Sequence, residues 1–508
     1  IGIFALPLKA EDARDTELDL KYVKPSAPVR VEIDLDDIEN RSRRVVTTGL
    51  VSNIRFDAAN GEVLYLLDGD VSRVDYNGEN PRKVTNGGGI GSFEFTTDGN
   101  GLEFTRNGTL NTLNLRNPQL PISTTTFRAD WTRNVRAERA AAYEQFWRSY
   151  NKNFYDANFH GRDWLKLKAR YAKFLPSVGH RNEMATVLNM LVGCLEASHT
   201  EVSPGAGNPN GESSAHLGFT FDYSYGGPGI KVKEVPNRTP GSFAKTKLQA
   251  GEIVTKINGK DANATEALYR EILNEQNGRD LMLTVKGTSG TRDLKYRALS
   301  GGEFSGIVNA NRLQWRRKYV EEKSGGKVGY VHIAGMSGGE LDRFNQQVWE
   351  YGEGKKALII DVRGNGGGNT SDRIIDVLER LPNSIYQIRD DEPQLGPGQA
   401  LGLPMVVMAG ENSFSNAEMF PYAMRQRKLA KLVGTTTPGY VIYTNGLPLV
   451  DGTVARMPNT GVYRLDGSPL ENMGQEMDFT VTYGPEDFFG GRDPQLDKAI
   501  EVLLKQAK

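Results

Sequence analysis

Ser415 stands in "GENSFSNAEMF" (410–420), a polar break between two regular stretches. The apolar "PMVVMAG" (404–410) precedes it, and Ala417, Met419, Phe420, Ala423 and Met424 follow at helical spacing. A strand that turns into a helix through Asn-Ser-Phe-Ser-Asn displays a hydroxyl at a helix N-terminus, where outward N–H groups can hold negative charge. An alcohol used as a nucleophile needs a base for its proton and a pair of N–H donors for the developing oxyanion. The plain alternative is that Ser415 caps the helix; Ser413 is a second candidate hydroxyl. A donor loop is offered by "ALIIDVRGNGGGNTSDRII" (357–375), in which a buried strand runs into Gly-Asn-Gly-Gly-Gly and then a helix capped by Asn369 or Thr370. Consecutive glycines let backbone approach a ligand and aim N–H groups at a phosphate or an oxyanion. A P-loop would need Gly-Lys-Ser/Thr, and a dinucleotide fingerprint has another glycine spacing. A tight strand–helix turn remains the plain reading of this loop.

The base must come from five histidines, His160, His180, His199, His216 and His332. His332 lies in the apolar "KVGYVHIAGM" and reads as a core position, while His160 and His180 sit in polar loops and read as solvated. His216 opens a separate module. His199, in "CLEASHTEV", follows a helix end and is preceded by Ser198. No HExxH or CxxC pattern occurs, so neither a metal nor a cofactor is expected.

These residues must be positioned by a long chain. Its 508 residues exceed one ordinary core, so about three or four domains are expected. Lys plus Arg is 62 and Asp plus Glu is 63, without the basic excess that nucleic acid demands. The single cysteine, Cys194, excludes an internal disulfide framework, and no apolar run approaches the ~18 residues of a membrane span. The chain opens at "IGIFALPLKAEDARD" without Met, a basic n-region or a cleavage site, as if inside a strand; upstream sequence and any targeting signal in it are expected to be missing. Residues 1 to 128 read as short alternating strands ("PVRVEIDL", "EVLYLLDG", "GLEFTRNGTLNTLNL") with Asn-Gly and Asp-Gly turns, a sandwich or propeller blades. Tyr143, Phe146, Trp147 and Tyr150 then share a helical face, as do Met184, Val187, Leu188, Leu191 and Leu195. "GNPNGESS" (207–214) is a linker, followed by a unit of PDZ type in which "HLGF" places Leu217, Gly218 and Phe219 in a carboxylate-binding loop. From about 301, strands and helices alternate: "KVGYVHI", "KALIIDV", helix 370–380, "PMVVMAG", helix 416–427 and "KLVGTTT". That alternation predicts an α/β layer fold with parallel pairing.

The set "SHT" (198–200), the PDZ-type unit, "DVRGNGGG", "SNAEMF", "ENMGQEMD" and "GRDPQLDKAIEVLL" resembles, in order and spacing, the tricorn-type serine proteases of the C-terminal-processing peptidase (S41) group. The resemblance covers essentially the whole chain. It implies a multidomain α/β and all-β protein: propeller blades over 1–128, a helical domain carrying the catalytic histidine over 129–212, a PDZ-like domain over 213–300, and a ClpP/crotonase-like α/β catalytic domain over 301–508. Carried across by position, it implies Ser415 as nucleophile, His199 as general base, and Ser198 and Glu471 as the residues orienting the imidazole, a Ser-His-Ser-Glu tetrad. The N–H groups of Gly367 and Asn416 match the oxyanion hole. Where tricorn-type relatives have an acidic residue after the nucleophile this chain has Asn416, which keeps the N–H, while the acidic side chain's role does not carry over. Met477 replaces a usual Pro. The resemblance further implies peptide or unfolded-protein substrates, a homo-hexamer and a cytoplasmic location, with export left open by the missing start. Two other readings stand beside it: an inactive protease domain kept as a PDZ-bearing scaffold, and another acyl transfer on the same fold, which would need a CoA site the sequence does not show.

Overall fold

The computed structural model describes residues 2–9, 24, 26–28, 30–36, 38–46, 51–128, 130–205, 212–398 and 400–506. The chain divides into two compact units, Ile1–Thr132 and Arg133–Lys508. Of the expected linker at 207–214, positions 207–211 lie outside the described residues. No helix among the described residues is long and apolar enough to cross a membrane.

The first unit is antiparallel throughout. Val51–Asp57, Glu62–Leu67, Asp70–Asp75 and Arg82–Lys83 form one four-stranded sheet in chain order, and Ile90–Phe95, Gly101–Arg106, Thr109–Asn114 and Ile122–Thr125 form another. The turn residues explain the meander. Asn107 and Gly108 both have positive φ (50° and 81°), as a two-residue hairpin turn of mirror type requires. Leu64, Leu66, Val71, Phe93, Leu102, Phe104 and Leu113 bury the inward positions. The opening Ile3–Ala5 is a strand, paired with Arg43–Val46. The strand expected in "PVRVEIDL" is not formed over its described residues 30–35. Val31, Ile33 and Leu35 are all exposed, and the Asp34 N–H donates to the Leu8 carbonyl (2.9 Å) without a strand ladder forming among the described residues.

In the second unit, helices Val135–Asn153, Trp164–Ala172 and Arg181–Gly193 meet on Phe146, Tyr150, Trp164, Tyr171, Met184, Leu188 and Leu191. Their starts are capped by Asn134, Asp163 and His180. The hairpin Ile442–Pro448/Val454–Gly461 closes this core with Leu449, Ala455 and Met457. The region 213–300 holds an antiparallel sheet in the order Thr220–Phe221, Ile230–Glu234, Ile253–Ile257, Asp280–Gly287, Gly290–Arg297, with short helical turns in its connections.

The remainder is a five-stranded parallel sheet, Val328–His332, Ala357–Asp361, Met405–Ala409, Ala430–Gly434 and Phe479–Thr480 in that spatial order. Strands buried on both faces read as continuous apolar runs. Alternate residues go to opposite layers: Leu358, Ile360, Val407 and Leu432 meet helices Gly338–Gly352, Ser371–Leu378 and Asn416–Gln426. Ala357, Ile359, Val406 and Val433 meet Gly301–Ser324 and Pro494–Gln506. In such a sheet the chemistry gathers on loops beyond the carboxyl ends of the strands, and here those loops are 362–370 and 410–415.

Candidate active site

The glycine loop leaves Ala357–Asp361 from a charged root. Asp361, fully buried, accepts from Arg363 at 2.7 Å and from the Tyr330 hydroxyl at 2.6 Å, and Arg363 also donates to Asp493 at 3.0 Å. Burial pushes the Asp361 carboxyl up, but the Arg363 and Arg316 guanidiniums outweigh it and hold the group well below the usual carboxylate range. Beyond the root, Asn365 staples the loop: its Nδ2 donates to the Ile333 carbonyl (2.9 Å), its Oδ1 accepts from the Gly367 N–H (2.8 Å), and its own carbonyl accepts from the Phe414 N–H (2.9 Å).

Gly367 is thereby laid against the serine turn. Its φ is +92°, and a Cβ there would stand 2.7 Å from both the Phe414 oxygen and the Ser415 Cβ, with the Asn416 nitrogen at 3.1 Å. Gly367→Ala is therefore expected to cost about 3 kcal/mol of stability from overpacking plus backbone strain, and to lower turnover at least ~100-fold by displacing a donor loop. Chemical denaturation and peptide turnover measure both. Wild-type values for the two would show that the loop is not seated on Ser415.

Ser415 itself has φ +56°, an unusual conformation for a residue with a side chain, and it is half-buried. The Glu418 N–H donates to the Ser415 carbonyl at 2.8 Å. Capping falls to Glu418, whose Oε1 accepts from the Ser415 N–H at 3.2 Å. Ser413, the other candidate hydroxyl, is fully buried; it donates to the Val362 carbonyl (2.9 Å) and accepts from the Gly410 N–H (3.1 Å), a structural plug. The Asn416 side chain acquires a role: its Oδ1 accepts from the Ser371 N–H (2.9 Å) and its Nδ2 donates to the Ser371 hydroxyl (2.8 Å), tying the first turns of two helices together.

The structure joins His199, Ser198 and Glu471. Ser198 Oγ lies 2.8 Å from His199 Nδ1 and donates to Glu471 Oε2 at 3.0 Å, while the Ser198 N–H donates to Glu471 Oε1 at 2.7 Å, across 273 positions of chain. Glu471 Oε2 also accepts from the Val441 N–H at 2.7 Å. With its hydroxyl proton on Glu471, Ser198 accepts from His199 Nδ1–H, which leaves Nε2 as the free lone pair. Burial, then the Arg456 guanidinium, pushes the His199 imidazole below its ordinary value. Among the described residues no hydrogen bond links His199 to Ser415, and the Gly367 N–H is occupied by Asn365.

The other histidines are elsewhere. His332 bonds the Arg363 carbonyl (3.2 Å) from its strand, and His180 caps a helix. His160, read as solvated, is instead half-buried: Nδ1 donates to the Leu195 carbonyl (2.7 Å) and Nε2 accepts from the Tyr155 hydroxyl (2.6 Å). In the "HLGF" loop, Leu217 and Phe219 are core side chains, the Gly218 N–H donates to His216 Nδ1 (2.9 Å), and the Leu217 carbonyl accepts from the Tyr296 hydroxyl (2.7 Å).

One carboxylate of this site was absent from the reading of the sequence. Glu418, fully buried, accepts from Ser415, Gly439 and Tyr440 N–H groups and from the Thr437 hydroxyl. Burial pushes its carboxyl up against the lowering pull of those donors. The Ser-x-x-Glu spacing from Ser415 is the local signal that could have pointed to it.

Residues 327–481 match Peptidase family S41, and residues 135–193 match the tricorn protease C1 domain. The tricorn protease of Thermoplasma acidophilum is 26% identical over 418 residues, covering 79% of this chain and 38% of that protein. Tricorn protease homolog 1 of Streptomyces coelicolor is 28% identical over 383 residues, covering 72% of this chain and 35% of the other. A crystal structure of the tricorn protease shares the fold at a TM-score of 0.79 and 22% identity, covering 99% of this chain and 51% of that one. By these matches the chain is similar to the S41 serine proteases over residues 327–481. The likeness is of the tricorn type, and the matches span only 35% to 38% of the two curated relatives' length.

Proposed function

We propose that this chain is the catalytic portion of a serine endopeptidase that cleaves peptides or unfolded polypeptides through an acyl-enzyme. Ser415 Oγ attacks the scissile carbonyl while His199 Nε2 takes its proton. The imidazolium is held by Ser198, with the Glu471 charge behind it, and then returns the proton to the leaving amine. The oxyanion develops toward the Asn416 N–H, at the positive end of helix Asn416–Gln426, and toward the Gly367 N–H, which becomes a three-centre donor shared with Asn365 Oδ1. The observation that carries this reading is the Glu471–Ser198–His199 chain of hydrogen bonds, with the imidazole left free at Nε2. The open Ser415–His199 step fits a free enzyme, in which catalytic hydrogen bonds are often long until substrate closes them. In this proposal 1–128 are propeller blades, 129–212 the helical domain, 213–300 a PDZ-type module and 301–508 the catalytic domain, working in a homo-hexamer.

The test is labelling by a fluorophosphonate probe, with the adduct located by mass spectrometry. An adduct on Ser415 that disappears in His199→Ala supports the reading. The occupied Gly367 N–H favours the second reading, a catalytically inactive scaffold, and a folded, assembled protein that takes no label would establish it.

The pH profile is a further expectation. A base works only when neutral, and burial and Arg456 lower the His199 pKa, so kcat/KM should rise with pH along a limb centred below the ordinary imidazole value of about 6.5. Arg456→Gln removes one lowering influence and should move that limb to higher pH. A rate independent of pH between 5 and 8 counts against His199.

A further inference from the structure

Thr437–Val441 links the two halves of the site, and it is gripped by two buried carboxylates. On one side Glu418 Oε2 accepts from the Thr437 hydroxyl (2.5 Å) and the Gly439 N–H (2.6 Å), and Oε1 from the Tyr440 N–H (2.7 Å). On the other, Glu471 Oε2 accepts from the very next N–H, that of Val441 (2.7 Å), with the same oxygen that receives the Ser198 hydroxyl. Underneath, the segment lies on the residues following Glu471. Thr437 N–H donates to the Gln475 carbonyl (3.1 Å), Gln475 N–H to Thr437 Oγ1 (2.8 Å), and Asn472 N–H to the Gly439 carbonyl (2.8 Å). Gly439, with φ +83°, leaves no room above that floor: a Cβ would stand 2.7 to 2.9 Å from the nitrogens of Gly474, Met473 and Asn472.

We propose that Glu418 is a positioning residue for the reaction assigned to Ser415: together with Glu471 it clamps Thr437–Val441, so that a single strap sets the nucleophile turn and the His199 relay in register. This deepens the proposed function and rests on it. Helix capping alone does not account for the arrangement. A cap needs only the Ser415 N–H, which is the longest of the four contacts at 3.2 Å, whereas the three shorter ones all go to the strap. A buried carboxylate is costly unless its lone pairs are filled, and here every donor that fills them belongs either to the serine turn or to the strap. The arrangement also connects Ser415 and Ser198, on elements far apart in the chain, through one short run of hydrogen bonds.

The experiment begins with the wild-type protein, whose Ser415 must take the fluorophosphonate label. If it does not, the serine-protease reading falls and this inference falls with it. Given labelling, Glu418→Gln keeps the volume but turns an amide N–H toward backbone donors. We expect its kcat and labelling rate to fall about 100-fold, the scale on which a misplacement of about 1 Å acts, with KM changed less than about 2-fold. The His199 ring nitrogens should shift in 15N NMR although Glu418 makes no contact with them. In Glu418→Gln/Gly439→Ala the loss should be no greater than in the worse single variant, because both act through one strap. Wild-type labelling and His199 signals in Glu418→Gln, or losses that simply multiply in the double variant, overturn the proposal. Should Glu418→Gln fail to fold, Thr437→Val removes one grip and Gly439→Ala lifts the strap with both carboxylates intact. Each should reproduce a kcat-only loss, and unchanged kcat in both overturns it.

Discussion

Replacing Ser415 by alanine should lower peptide turnover by roughly six orders of magnitude, the scale of losing an activated nucleophile, while the melting temperature stays close to wild type. The two halves of this expectation have separate causes. Turnover falls because the attacking oxygen is gone and nothing nearby replaces it: Ser413 is fully buried with its hydroxyl committed to the Val362 carbonyl. Stability holds because backbone bonds secure the turn. An N-cap serine replaced by alanine ordinarily costs about 1 kcal/mol, and here the Glu418 N–H bonds the Ser415 carbonyl while Glu418 takes the Ser415 N–H, so the cost should not exceed that. The unfavourable φ of +56° is retained in the variant, since alanine suffers there as serine does. His199→Ala should lose almost as much, and the double variant scarcely more, because a nucleophile without its base and a base without its nucleophile are equally idle. More than about 1% residual turnover in purified Ser415→Ala would remove Ser415 from the mechanism.

How much of this was legible beforehand depended on how far each signal reached along the chain. The parallel sheet was readable because burial on both faces leaves unbroken apolar runs, and helices expected at 370–380 and 416–427 are found at Ser371–Leu378 and Asn416–Gln426. Ser415 and the glycine loop could be singled out because a strand, a polar break and a helix in sequence already define a displayed residue. "PVRVEIDL" shows the limit of that method, since alternation reports a preference for one buried face and says nothing about whether a partner strand is present. The "HLGF" loop shows a related limit: its residue types suit a carboxylate site, and residue types alone do not show that the Gly218 N–H bonds His216 Nδ1 two positions before it. Contacts between side chains and distant backbone were out of reach altogether. Nothing local marks Glu471 as the partner of Ser198, and it was placed only by family resemblance. Asn365, Arg363 with Asp493, and the wider grip of Glu418 are likewise defined by three-dimensional neighbours, so residue type and spacing could not reveal them.

Glu471→Gln should reduce kcat by about 10³- to 10⁴-fold, less than His199→Ala, with little change in KM, and the reason is a tautomer. In the native arrangement Glu471 is an acceptor on both oxygens: Oε1 receives the Ser198 N–H, and Oε2 receives the Ser198 hydroxyl and the Val441 N–H. The hydroxyl proton therefore points away from the imidazole, which must place its own proton on Nδ1 and keep Nε2 basic. A glutamine cannot satisfy this set in either orientation. With its oxygen at Oε2, its NH2 opposes the Ser198 N–H. With its oxygen at Oε1, the NH2 opposes Val441 and donates to Ser198 Oγ, which then turns its proton onto His199 Nδ1. The imidazole is driven to the Nε2–H form, a donor facing a nucleophile that needs an acceptor. The loss is smaller than for His199→Ala because the ring is still present and the active tautomer is still reachable at an energetic cost. It should be readable directly, as a change of His199 15N shifts toward the Nε2–H tautomer in the resting protein, alongside the fall in kcat measured with a fluorogenic peptide. A loss larger than that of His199→Ala, or an unchanged tautomer with full turnover, would reverse the assignment of Glu471 as the residue that orients the base through Ser198.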